Sequence, residues 1–116
     1  MNQPEVATLI RRGLATSHVV EDREIWGAGR ISRHGNVHAN IVGLAVIGKV
    51  GVEKATALFD KSLCEMSQED GPATREIATI FGGNVETAEA LIESHWSFGA
   101  EEIAAKLARN EFLVGT

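Results

Sequence analysis

The chain lacks most of what would place it in a specialised class. It holds a single cysteine, Cys64, among 116 residues. One thiol cannot close an internal disulfide, so a secreted, disulfide-stapled scaffold is excluded. No basic stretch followed by an apolar run opens the sequence, so no signal peptide is expected. The longest apolar segment, Ile41 to Val52, is interrupted by Lys49 and falls short of the about 20 residues a membrane helix requires. There is no excess of positive charge: the net charge is −5, which argues against a general nucleic-acid binder. What remains is close to the globular norm, 44% hydrophobic and 23% charged, so wholesale disorder is excluded as well. The length suits one domain, 1–116, and a cytoplasmic setting is expected.

Charge is divided along the chain. From Met1 to Lys61, eight basic side chains stand against six acidic ones; from Ser62 onward, three stand against ten. The plainer explanation is a solvated helical surface in the second half. The sharper one is an acidic face that meets a basic protein partner, or the basic half of a second copy.

Helical spacing recurs through most of the sequence. Pro4 to Ala15 places Val6, Leu9, Ile10 and Leu14 on one face, leaves Arg11 and Arg12 off it, and is weakened near its end by Gly13. Val52 to Met66 aligns Ala55, Leu58, Phe59, Leu63 and Met66. Ser67 to Pro72 is a polar break. Pro72 to Phe81 follows and stops at Gly82-Gly83. Asn84 is a cap for a helix carrying Val85, Ala88, Leu91 and Ile92. Ser97 is expected to cap the last helix, which turns Ile103, Ala104 and Leu107 inward. Glu101 and Glu102 near its start suit the helix dipole.

Two stretches break this pattern. Thr16 to Val37 is rich in β-formers punctuated by Gly27, Gly29 and Gly35, and predicts one or two short hairpins with turns near Glu21–Arg23 and His34–Asn36. Ala39 to Val50 is apolar nearly all round. Periodicity cannot separate a buried helix from a buried strand there, and a helix is preferred, with Gly43 and Gly48 admitting close neighbours. The expected fold is therefore mainly α with a minor β part: five to six short helices around an apolar central helix, with one small β-hairpin. The expected core is Leu44, Ile47, Leu58, Phe59, Ile77, Phe81, Leu91 and Leu107.

The most chemically loaded segment is Gly27 to Gly35. Its glycines, Arg30, Arg33, Ser32 and His34 could hold a phosphate or carboxylate between loop N–H groups and guanidinium groups. The glycine spacing matches neither the dinucleotide fingerprint nor the Walker pattern. A hairpin with solvated arginines explains the same residues. His34 and His38 lie four apart, but Gly35 and Asn36 argue for a turn, and no third ligand is close, so no metal is expected. His95 reads as a helix-end residue and Cys64 as an inert core-side thiol. No catalytic set and no cofactor are expected. Ile77-Ala78-x-x-Phe81-Gly82 with the helix after it has helix-turn-helix spacing. The second helix, however, carries Glu86, Glu89 and Glu93 and no basic residue, which would repel DNA phosphates.

Two stretches resemble small uncharacterised bacterial and phage proteins. Asn36 to Val50 is similar to their glycine-bearing hairpin leading into an Ala/Gly-rich helix. Leu91 to Ala104, with His95-Trp96-Ser97 followed by Glu101-Glu102-Ile103-Ala104, is similar to their C-terminal pattern. This sequence carries His38 where those have a cysteine and lacks their Asn-Asp pair. The resemblance implies a mixed, mainly helical fold and a phage or mobile-element origin, and supplies no activity.

These readings point to a small non-enzymatic interaction or regulatory protein that works through its surface as a homo-oligomer. Trp26 or the tail Phe112, Leu113 and Val114 are expected in the contact, because the Ile41 to Val52 segment offers more apolar surface than one small domain readily covers. An anion- or nucleotide-binding module built on the Gly27–Gly35 loop is the alternative, and a helix-turn-helix regulator the second.

Overall fold

The apolar segment in the middle of the chain is a helix whose first two turns are covered on every side. In the computed structural model, which describes residues 3–23, 29–31, 35–58 and 85–111, Ile41 to Ile47 are all buried. The elements are α1 (Gln3–Ala15), β1 (Val19–Glu21), β2 (Gly29–Ile31), β3 (Val37–Ala39), α2 (Ile41–Val50), α3 (Val52–Leu58), α4 (Val85–His95) and α5 (Ala100–Ala108). The protein is mainly α with a minor β part. Helix α2 packs on α1, α3 and α4, and α1 also packs along α5. The apolar surface of Ile41 to Ile47 is thus covered within the chain, whereas Gly48, Lys49, Val50 and Val52 are half-buried and Gly51 is exposed.

The α1–α2 contact is backbone on backbone. A Cβ placed on Gly13 would drive into the backbone of Leu44, and one on Gly48 into the backbone of Leu9. Gly48 does admit a close neighbour, as its position in an apolar helix suggested. Gly13, which reads in the sequence as a weak helix end, is the other half of the same contact. The two helices share a Leu-x-x-x-Gly pattern, Leu9 to Gly13 and Leu44 to Gly48, and each leucine backbone meets the other helix's glycine.

Helix α2 begins later than the sequence suggests. Ala39 ends β3, and Asn40 takes an extended conformation and caps the helix, its Oδ1 accepting from the Gly43 N–H at 3.1 Å. At the other end Gly51 adopts φ 87 and ψ 161, a region only glycine occupies readily. Its N–H donates to Ile47 and its carbonyl accepts from Ala55, so one residue turns α2 into α3.

The three strands form a mixed sheet in the order β1-β3-β2. β2 and β3 are the expected hairpin, antiparallel, with Arg30 opposite His38. β1 is not hairpinned to β2 through a turn at Glu21–Arg23. It runs parallel to β3, Val19 opposite Val37 and Glu21 opposite Ala39, and the Asp22 N–H extends the pairing to the Ala39 carbonyl. Three-residue strands carry too little alternation for pattern alone to choose their partner.

The core is one cluster that includes Val6, Leu9 and Ile10 of α1, Leu44 and Ile47 of α2, Ala55, Leu91, and Ile103, Ala104 and Leu107 of α5. Leu44, Ile47, Leu91 and Leu107 are buried as expected. The Leu58 side chain, Phe59, Ile77 and Phe81 lie outside the described residues, as do the continuation to Met66, the Ser67–Pro72 break, the Pro72–Phe81 helix, Asn84 and Cys64.

Candidate functional site

Consecutive residues of a strand face opposite ways, and at the end of β1 this splits two adjacent carboxylates between two histidines. Glu21 reaches His95, the last residue of α4, with 2.7 Å between Oε2 and Nε2. Asp22 reaches His38 of β3, with 3.2 Å between Oδ2 and Nδ1. The first histidine is fully buried, whereas the side chains of the second pair are each a quarter exposed.

The proton positions on His95 follow from its partners. The Ile41 N–H, first in α2, donates to Nδ1 at 3.3 Å, and a backbone N–H can only donate. Nδ1 therefore holds a lone pair, and Nε2 carries the proton that it donates to Glu21. The same Glu21 oxygen accepts from the Ala100 N–H at 2.9 Å. One chain of bonds thus runs from the start of α2, through the end of α4 and β1, to the start of α5. It satisfies an orphan N–H at each of two helix N-termini.

This corrects the expected cap of the last helix. Ser97 does not cap it. Gly99 occupies the N-cap position of α5 without a side-chain hydrogen bond, and Glu21, from a distant strand, takes that role. Burial would raise the Glu21 pKa, but the hydrogen bonds from His95 and Ala100 and the nearby charge of Arg23 outweigh it and hold the carboxyl below its ordinary value of 4.5.

The turn between α4 and α5 displays the two aromatic rings that the described residues leave open. Trp96 is 63% exposed and Phe98 44%. The turn itself is not loose. Ser97 and Phe98 N–H groups donate to Ser94, Trp96 N–H donates to Glu93, and the Arg23 guanidinium reaches the Trp96 carbonyl at 3.5 Å. Lys106 of α5 lies 4.6 Å from the centre of the Phe98 ring, a cation–π contact.

The expected site residues fall elsewhere. Gly29 and Arg30 belong to β2 and pair with Ala39 and His38, so their backbone is part of a strand ladder and not of an open loop. Gly35 takes φ 81, as a turn glycine does. Gly27, Ser32, Arg33 and His34 lie outside the described residues, and so do Trp26, Phe112, Leu113 and Val114. Sequence reasoning placed His95 correctly at a helix end and missed its partners. The signal was a histidine on the buried side of α4, one turn after Leu91, which has to bond somewhere once buried.

Among the described residues no group of three or more His, Cys, Asp or Glu is arranged to hold a metal ion, and no helix is long and apolar enough to cross a membrane. The apparent charge division is partly settled within the chain, since Arg11 of α1 bridges Glu101 of α5 at 2.9 Å. No family model, curated protein or solved structure matches this chain.

Proposed function

We propose that the chain is a small non-enzymatic interaction protein of the cytoplasm that docks through the α4–α5 turn, and that its partner is a second copy of itself. The observation that carries this reading is Trp96, an indole 63% exposed on a turn pinned from both sides. A large apolar ring displayed in water on a fixed turn gains most when a partner covers it, and such rings anchor interfaces. Phe98 extends the patch, and Arg23 and Lys106 border it with positive charge. The acidic second half of another copy offers the complementary sign. A catalytic use of His95 has little support, because both its ring nitrogens are already bonded and a general base needs a free one.

Sedimentation equilibrium over micromolar concentrations tests the proposal. The expected result is a mass above the 12.4 kDa of the single chain, falling to that value in Trp96→Ala. A 12.4 kDa species at every concentration in the unaltered protein would overturn it.

A further inference from the structure

The hydrogen bonds of His95 make the docking turn conditional on one proton. The imidazole is fully buried, its Nε2–H is committed to Glu21, and its Nδ1 is the acceptor for the first N–H of α2. A proton added to the neutral ring has only Nδ1 to occupy. There it would set N–H against N–H across the 3.3 Å that now hold a hydrogen bond. We propose that His95 is a proton-operated clasp: protonation expels the Ile41 N–H from the ring and frees the α4–α5 turn from the N-terminus of α2.

The release is one-sided. Nε2–H keeps Glu21 in either protonation state and becomes a charge-assisted bond when the ring is cationic. Ala100 stays with Glu21 through its own N–H. The turn and the start of α5 therefore loosen against the first residue of α2, while the end of β1 stays in its ladder with Ala39 of β3. The contact that breaks removes one cap from α2, while Asn40 retains the other at Gly43.

The surrounding charges fit this direction. β1 and the residues after it supply Glu21, Asp22, itself paired with His38 of β3, and Arg23. α4 carries Glu93, and α5 carries Glu101, bridged to Arg11 of α1, with Glu102 and Lys106. The first turn of α2 contains no acidic residue to hold a cationic ring. That the clasp controls docking rests on the function proposed above; the clasp itself is a property of the free chain.

The test follows the histidine ring nitrogens and backbone amides by NMR on the full chain, at a concentration where it is monomeric, from about pH 8 to about pH 4. Trp26→Phe leaves Trp96 as the sole indole for parallel fluorescence. The expected result is an Nε2–H tautomer of His95 at high pH. On acidification, Nδ1 protonation, loss of exchange protection at the Ile41 amide and a shift in Trp96 emission should coincide. In His95→Gln, whose amide can donate to Glu21 and accept from Ile41 but does not titrate, the transition should vanish. The proposal fails if Ile41 keeps its protection while His95 takes up the proton, if His95 stays neutral until the whole chain unfolds, or if a folded His95→Gln shows the same transition. Should that variant not fold, the unaltered chain decides alone. A monomer at every concentration would remove the docking partner and leave this result standing.

Discussion

The α1–α2 crossing and the Glu21–His95 network hold neighbouring parts of the same core by opposite means. At the crossing there is almost no side chain at all: Gly13 and Gly48 let two helix backbones touch, and dispersion and burial do the rest. At the network, two N-terminal amides, an imidazole and a carboxylate are buried or half-buried and hold only because each finds a partner. The first contact is indifferent to protons and salt and intolerant of added volume. The second depends on charge state. The proposed docking residues, Trp96 and Phe98, sit beside the second.

The contrast breaks most sharply at Gly48. Gly48→Ala should cost about 3 kcal/mol, because the methyl meets rigid backbone and the helices must separate. Urea titration would check this, with Gly99→Ala as the reference, since a Cβ there meets open space. An effect no larger than the reference would mean the crossing can give. Next comes Glu21. A carboxyl held below its ordinary pKa stabilises the fold above its unfolded value, and that contribution is lost as pH falls through the folded value, here below 4.5. Glu21→Gln should lower stability near neutral pH by about 2 kcal/mol and flatten the acid limb of a stability–pH profile. The same limb in both proteins would assign it to other carboxylates. The smallest effect is expected at Arg11. Its bridge to Glu101 is exposed, so Arg11→Ala should change stability by under about 1 kcal/mol, and added salt should erase the difference. A larger loss would make this ion pair a third support alongside the crossing and the network.

The helices were legible because their periodicity and their burial agree. Val6, Leu9 and Ile10 of α1, and Ile103, Ala104 and Leu107 of α5, point inward as their spacing requires. Burial of α2 followed from its lack of any polar face. What the sequence concealed were relations between distant residues. Nothing local shows that Glu21 serves a helix that starts at Ala100, or that Gly13 is shaped by Leu44. The order of the strands was hidden for the same reason: a parallel β1–β3 pair has no turn to announce it. Trp96 stood in plain view beside His95, but the exposure of a ring depends on what packs above it, which the sequence does not show.

The network's bonds join parts of the chain that lie far apart in sequence. Ala100 and Glu21 are separated by 79 residues, and Ile41 and His95 by 54, whereas the α1–α2 crossing joins positions such as Leu9 and Gly48. Bringing distant segments together carries an entropic penalty that grows with the length of intervening chain, and long-range contacts slow folding for the same reason. Closing the Glu21–His95 linkage therefore carries the larger entropic penalty of the two, and the turn that displays Trp96 is tied to the core through bonds that only a nearly complete fold can bring together.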